Sequence, residues 1–506
     1  MDVNLADTLR EFALQRAEAP CLSHAEETLS YGQLHTRSSQ LANALLDRGL
    51  VAGDRVAILA RNAPVFYELV FACAKAGLIM LPINWRLSPR ELDDILADAA
   101  PGLVLAHSEF AGNLSDAGRV ILLDDDFTAW RGAASRIDPG AHTAMADPVL
   151  LLYTSGTTGR AKGVMISHRN LSFTSRMARE IWGFGPDSVN LVAGPLFHIG
   201  GIGYGMMALT QGGHTVLLPQ PAPGPALAAM VRYRVTHAFL VPAVIQSLVE
   251  AESVDSMDLS SLQLIAYGAS PISETLLLRA LKVFGCGFSH AYGLTETSGT
   301  VITLPPEAHD PGGKNAGRLR SCGQPVPWAE VDLFDPLTDR PVRDGEVGEI
   351  RVRSGMNMVG YWRNQEETQA AFAPDGWLRT GDAAWRDADG YYYIHDRFKD
   401  MIVSGGENIY PTEVENILYE HPDVVAAAVI GVPHERWGET PKAVVVLRPD
   451  SPVDEKQLIA FARQRLAHYK CPTSVEFLQD MPRSASGKIL KRELRLLQWP
   501  ARKKTP

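Results

Sequence analysis

The sequence predicts an α/β protein in two parts. A large amino-terminal domain of βαβ subdomains ends in a small antiparallel, barrel-like subdomain, and a small α+β domain follows. Three observations carry this. Short apolar runs alternate with helix-period stretches down to about residue 290, the pattern of parallel strands covered by helices. From about Gly323 the runs shorten and turns crowd between them, at 331–334, 348–352 and 391–394. The charged stretch Asp396-Arg397-Phe398-Lys399-Asp400 then separates a unit of roughly a hundred residues, ordinary for a small domain. The division falls between 1–398 and 399–506.

The elements follow in order. Asn4 is placed to cap a first helix on which Leu5, Leu9 and Phe12 share a face. Ser30 and Gln33 have capping-box spacing for a second helix, with Leu34, Leu41 and Leu45 inward and Gly49 as its stop. Residues 56–59 read as a strand, Pro64 opens the next helix, and 78–82 gives another strand. Ser88-Pro89-Arg90-Glu91 repeats the capped start with proline at the first helical position. The most apolar window, 65–83, is interrupted by Glu68 and Lys75, so it reads as a buried helix and strand and not as a membrane span. Beyond Lys399 the pattern gives a strand at 401–403, a helix capped by Thr412 with Glu415, and strands at 424–432 and 443–447. A helix at 454–466 and a strand at 474–478 complete it.

Composition narrows the class. With 46% hydrophobic and 21% charged residues the chain is globular. A formal charge of −10 argues against general nucleic-acid binding. The five cysteines, Cys21, Cys73, Cys286, Cys322 and Cys471, are scattered without a CxxC pair, so neither a disulfide framework nor a zinc site is indicated. The amino end lacks the regions of a signal peptide, and a cytoplasmic enzyme is expected.

Chemistry concentrates in five stretches. Tyr153-Thr154-Ser155-Gly156-Thr157-Thr158-Gly159-Arg160-Ala161-Lys162-Gly163-Val164 lies between two apolar runs. Its glycines let backbone N–H groups approach an anion, its hydroxyls donate, and Lys162 adds charge: the chemistry of a phosphate cradle. It is not a Walker A loop, because Ala161 precedes Lys162 and Gly163 follows it. Taken alone it is as well explained by a polar turn. Tyr292-Gly293-Leu294-Thr295-Glu296 offers a ring, a hydroxyl and a carboxylate, suited to a nucleobase, a phosphate and magnesium, or else a capped helix start. Thr380-Gly381-Asp382, read as a loop, offers a carboxylate for a ribose diol, or a turn aspartate. Ser404-Gly405-Gly406-Glu407-Asn408 is a glycine loop, weak by itself. Pro482-Arg483-Ser484-Ala485-Ser486-Gly487-Lys488-Ile489 holds a lysine among small residues, and such a lysine near a carboxy terminus is commonly just solvated.

In this order and together, the five stretches resemble the adenylate-forming superfamily: acyl-CoA synthetases, firefly-type luciferases and peptide-synthetase adenylation domains. The resemblance runs from the Ser30–Gln33 helix to Lys488, and the acyl-CoA synthetase branch fits it best. One departure is Ala161, where the family commonly has proline; it changes loop stiffness, not chemistry. The resemblance implies a mobile carboxy-terminal lid and two half-reactions. A carboxylate attacks the α-phosphate of ATP to give acyl-AMP and pyrophosphate, and the thiol of coenzyme A then displaces AMP. It implies that Thr154, Ser155, Gly156, Thr157, Thr158, Gly159 and Lys162 hold the β- and γ-phosphates. Tyr292, next to Gly293, would stack on adenine, and Gly268, Ala269 and Ser270 would wall the nucleotide and acyl pocket. Thr295 would touch the α-phosphate and Glu296 would serve magnesium. Asp382 would bind the ribose, assisted by Arg397, while Asn408 with Gly406 would help fix AMP. Lys488 would reach in during adenylation and Lys399 would be the hinge. His198, in Pro195-Leu196-Phe197-His198-Ile199-Gly200-Gly201, is implied as a gate or wall of the acyl and thiol tunnel, not as a general base.

The same resemblance leaves rivals. A stand-alone enzyme that loads a carrier protein, a luciferase-like oxidoreductase and an adenylate-binding pseudoenzyme all share the motifs. Joint retention of Lys162, Glu296, Asp382 and Lys488 weighs against the last. The glycine-rich apolar stretch after His198 favours an apolar monocarboxylate, a medium-to-long fatty acid first and an aryl-propenoate as the alternative, with ATP, Mg2+ and coenzyme A as its companions. No nucleic acid or transmembrane segment is expected, and a homodimer is compatible with the sequence.

Overall fold

The computed structural model describes residues 4–115, 117–154, 161–397, 400–404, 407–434, 436–484 and 487–498. Local signals act as read. Asn4 Oδ1 accepts the Ala6 N–H at 2.9 Å and starts the helix Leu5–Gln15. Ser30 with Gln33 and Ser88 with Glu91 form complete capping boxes on the helices Tyr31–Asp47 and Pro89–Ala99. The helix Val65–Ala76 is buried along its whole length. An ammonium buried without partners would cost several kcal/mol, yet the Lys75 side chain is 0% exposed. It survives because it donates to the His35 carbonyl at 2.8 Å and to Ser38 and Ser39 Oγ at 2.9 and 2.8 Å. Glu68 is matched by Arg37 and Arg131. The two charges that interrupt the apolar window are therefore satisfied inside the fold, Lys75 also by Asp138 at 3.6 Å.

The large domain holds two mainly parallel sheets, as the strand–helix alternation predicts. One has nine strands among the described residues. Its parallel centre runs Gly287–Leu294, Leu264–Gly268, His237–Leu240, Val189–Val192, His214–Leu217 and Pro20–His24. The other has seven, with Pro148–Thr154, Ile79–Pro82, Arg55–Leu59, Leu103–Ala106 and Val120–Leu122 in parallel. The antiparallel strands Lys162–Ser167 and Gly360–Tyr361 close its edge. A five-stranded antiparallel sheet follows, from Ala329–Asp335 to Tyr392–Arg397. The carboxy-terminal unit pairs Val424–His434 with Gly438–Leu447 and packs the helices Pro411–Tyr419 and Glu455–Arg463 around its own apolar cluster.

Four local readings are corrected. Thr380-Gly381-Asp382 is not a loop: it lies inside the strand Leu378–Arg386, with Gly381 at φ 74°. The stretch after Tyr292 starts no helix; a turn joins Gly287–Leu294 to the antiparallel strand Gly299–Leu304. Asp396 and Arg397 are not linker but the end of the strand Tyr392–Arg397. The helix expected to be capped by Thr412 begins at Pro411, with Tyr410 at the cap and no side-chain cap of its own. Glu415 there turns inward and accepts the Val429 N–H at 2.7 Å. The expected boundary, Lys399, lies outside the described residues.

Candidate active site

The hairpin Pro148–Thr154 and Lys162–Ser167 brings Thr154 directly opposite Lys162. Ser155, Gly156, Thr157, Thr158 and Gly159, the candidate cradle, lie outside the described residues. Lys162 is half-buried. Its ammonium bonds Glu367 Oε2 at 2.6 Å and lies 5.1 Å from the Tyr361 ring centroid. Tyr361 in turn donates its hydroxyl to Glu296 Oε1 at 3.0 Å. The candidate phosphate lysine and the candidate metal carboxylate are thus joined through one tyrosine. Sequence reading missed Tyr361 and Glu367. The only signal was Gly360 beside Tyr361, whose strand pairs with Lys162–Ser167, and that pairing is tertiary.

The candidate nucleotide wall lies at the ends of parallel strands, where open α/β sheets bind ligands. Gly268 ends one strand and its backbone presses on the next: a Cβ there would lie 2.1 Å from the Ala291 carbonyl oxygen. Ala269 follows in the left-handed region at φ 63° and is exposed, with Ser270 partly so. Gly293 is equally constrained, since its Cβ would lie 1.8 Å from the Gly299 carbonyl oxygen. Tyr292 is buried and donates its hydroxyl to Asp382 Oδ2 at 2.8 Å. Burial, then the Asp382 charge, holds that phenol well above its usual range, so it stays a donor. Asp382 is paired in register with Arg397 across the sheet. The side chains of Arg397 and Asn408, and all of Lys399 and Gly406, are outside the described residues. Thr295 stands in the turn before Glu296, its carbonyl accepting the Ser298 N–H at 2.9 Å.

His198 precedes the helix Ile199–Leu209. Its Nε2 is buried without a hydrogen-bond partner among the described residues. Burial, and secondarily the charge of Arg86, pulls it down to about 4. It is therefore neutral at pH 7 and a poor base, in keeping with a wall. Behind it, Tyr204 on the same helix packs its ring 5.4 Å from Phe239, 5.8 Å from Trp182 and 6.0 Å from Phe184. Gly200 lies against Phe239, where a Cβ would come within 3.3 Å of the ring. The Tyr204 hydroxyl is buried and, among the described residues, unpartnered.

The lid loop reaches this region. Gly487, next to Lys488, stands where a Cβ would be 3.5 Å from Val241 Cγ2 and 3.7 Å from Ala243 Cβ. Both belong to the wall that starts the helix Pro242–Val249. The Lys488 side chain is exposed on that loop, and its N–H donates to Ser484 Oγ at 3.1 Å. The described contacts thus bring Thr154, Lys162, Tyr361 and Glu296 together and join Tyr292 to Asp382, while the loop that carries Lys488 approaches Val241 and Ala243.

The model of the AMP-binding enzyme family matches residues 9–362, and that of the AMP-binding enzyme C-terminal domain matches 413–488. The chain belongs to the AMP-binding enzyme family. It is 41% identical over 481 residues to a feruloyl-CoA synthase of Amycolatopsis sp, covering 94% of this chain and 95% of that one. It is 38% identical over 507 residues to the fatty acid–[acyl-carrier-protein] ligase ScoC of Streptomyces coeruleorubidus, covering 98% and 96%. Among solved structures, ATP-bound MatB from Rhodopseudomonas palustris superimposes with a TM-score of 0.89 at 31% identity, over 97% and 98% of the chains. The anthranilate CoA ligase AuaEII with anthranoyl-AMP gives 0.91 at 28%, over 98% and 97%. The adenylate-forming fold, with its large and small domains, is therefore that of an AMP-binding enzyme. No helix among the described residues is long and apolar enough to cross a membrane.

Proposed function

We propose that this AMP-binding enzyme is an ATP-dependent acyl-CoA ligase that activates a monocarboxylic acid bearing an aromatic ring. The observation that carries the reading is the contact chain Lys162–Tyr361–Glu296, which shares the stretch 292–296 with the Tyr292–Asp382 pair, together with the Lys488 loop approaching Val241 and Ala243. Lys162, with the cradle, takes the β- and γ-phosphates. Tyr292 stacks on adenine, and Asp382, oriented by the Tyr292 hydroxyl, binds the ribose. Lys488 neutralises the α-phosphate as the carboxylate attacks. A carboxylate attacking an anionic triphosphate needs such preset cations, since little else can be supplied by the protein. Glu296 would hold magnesium: Tyr361 fixes its Oε1, and a half-buried carboxylate suits an ion that is bound through one or two carboxylates and keeps several waters. A metal held there would supply positive charge to offset that of the phosphates.

The aromatic cluster around the helix that follows His198 supports a ring over a fatty chain. Tyr204, Phe239, Trp182 and Phe184 form an aromatic end, which favours a flat ring over a long flexible chain. A hydroxyl or methoxy group on that ring would satisfy the buried Tyr204 hydroxyl, whose desolvation is otherwise uncompensated. The similarity to a feruloyl-CoA synthase supports this, and similarity to ScoC supports a second reading, a fatty acid loaded onto a carrier protein. A panel of ferulate, 4-coumarate, benzoate, octanoate, palmitate, acetate and malonate, scored by pyrophosphate release, tests the acid. Aryl-propenoates should lead, and a lead by octanoate, acetate or malonate overturns the ring. Coenzyme A against holo carrier protein, supplied to the same acyl-adenylate, tests the acceptor.

Lys488→Ala should lower adenylation by about 10²–10³, with most thioester formation from synthetic acyl-adenylate preserved. Measuring the half-reactions separately checks it. An unchanged adenylation rate rejects the role.

A further inference from the structure

The lid meets the large domain at a polar knot beside the hinge. Asp396 stands in the last strand of the large domain, Tyr392–Arg397. Its Oδ2 accepts the Thr412 N–H at 3.2 Å, the Thr412 hydroxyl at 3.0 Å and the Lys491 ammonium at 3.2 Å. Lys491 also bonds Glu415 Oε1 at 2.9 Å. The Asp396, Glu415 and Lys491 side chains are only 8%, 11% and 17% exposed. Thr412 and Glu415 lie on the lid helix Pro411–Tyr419, and Lys491 starts the helix Lys491–Gln498. Two lid elements therefore converge on one oxygen that belongs to the other domain.

Two physical facts make the knot depend on lid orientation. The helix Pro411–Tyr419 has no cap of its own, so Asp396 supplies the acceptor its first turn lacks. A carboxylate there also faces the positive end of the helix dipole. The second fact is charge. Lys491 faces Asp396, Glu415 and Asp400, and Asp400 is itself bonded by Arg495 at 2.7 Å. If Asp396 leaves, Lys491 and Glu415 remain a balanced pair within the lid. The helix end and Asp396 alone must find new partners, so release is orderly and not ruinous.

We infer that Asp396, Thr412 and Lys491 form a latch that holds the lid in its adenylating orientation, and that its opening begins the turn toward the thiol step. Lys491 is then a positioning residue: three positions past Lys488, it anchors the end of the loop whose Gly487 sits on Val241 and Ala243. The inference rests on the two-step ligase reading above.

The test uses the full chain and the variants Asp396→Asn, Thr412→Val and Lys491→Met. Each half-reaction is timed separately, and dyes at Asp450 in the lid and Glu252 in the large domain report the interdomain distance with ATP bound. Asp396→Asn and Lys491→Met should each slow adenylation about tenfold, the effect of a lost charge-assisted hydrogen bond. Thr412→Val should do so less. Thioester formation from synthetic acyl-adenylate should hold or rise, the distance should shift away from the wild-type value, and the Asp396/Lys491 double variant should fall no further than the worse single one. Equal loss in both half-reactions with an unmoved distance means ordinary lid damage and overturns the latch, as does unchanged adenylation. If the wild type adenylates no acid, the ligase reading fails, while the ATP-bound distance still decides the latch.

Discussion

At the scale of single residues, the site is held by contacts that its own sequence neighbours do not suggest. Lys162 is already paired with Glu367 at 2.6 Å, so a triphosphate bound there as proposed would displace a carboxylate. A partly exposed pair of this kind is worth about 1 kcal/mol, or about fivefold in binding. Glu367→Gln should therefore lower the KM for ATP by roughly that factor and make pyrophosphate a stronger product inhibitor; initial rates with added pyrophosphate measure both. Lys162, Glu296, Tyr292 and Asp382 could be singled out from the sequence because each type suits a different part of a nucleotide, and the structure joins them in two groups, Lys162–Tyr361–Glu296 and Tyr292–Asp382. Tyr361 and Glu367 could not, since a tyrosine and a glutamate far along the chain from Lys162 gain a role only when Gly360–Tyr361 pairs with Lys162–Ser167.

At the scale of elements, the helix Ile199–Leu209 is the informative case. It carries four glycines, and their surroundings differ. A Cβ at Gly201 would lie 2.0 Å from the Pro195 carbonyl oxygen, so Gly201→Ala must displace backbone. Gly203 faces only the flexible end of Ile199, at 3.0 Å. Gly203→Ala should be neutral or gain up to about 1 kcal/mol from helix propensity, whereas Gly201→Ala should destabilise by over about 2 kcal/mol. Chemical denaturation of both variants checks the contrast. Gly200→Leu fills the side facing Phe239 and should shift preference toward smaller acids without changing the KM for ATP. Capped helices and parallel strands were readable because their signals are local. The strand that holds Asp382 was read as a loop because Gly381 looks like a turn residue. Only the neighbouring strands Gly348–Ser354 and Tyr392–Arg397 hold it extended.

At the scale of the whole molecule, burial of histidine sets the acid limit. His35, His168, His198, His214, His237, His290 and His309 are each pulled down to about 4, with desolvation the first cause. Unfolded, they titrate near ~6.5. Between those values the unfolded chain binds more protons, so stability is full above about 6.5 and falls as pH drops toward 4. Melting temperatures across that window should decline steeply, and a flat profile would contradict the burial of these rings. This property was invisible in the sequence, where fourteen histidines carried no pattern. The domain order, by contrast, was visible because texture changes near Gly323 track a real change from parallel to antiparallel pairing.

The outer partner of the strand Lys162–Ser167 has a consequence for synthesis. Glu367, which pairs with Lys162, lies 205 residues further along, and Gly360–Tyr361 must emerge before that sheet edge is covered. At 5–20 residues per second the ribosome leaves the edge bare for roughly 10–40 seconds. During that interval a nascent chain has a ready template for pairing with a neighbour. The nucleotide site is thus among the last parts of the large domain to close, and a truncated chain ending before Tyr361 should aggregate before it can bind ATP.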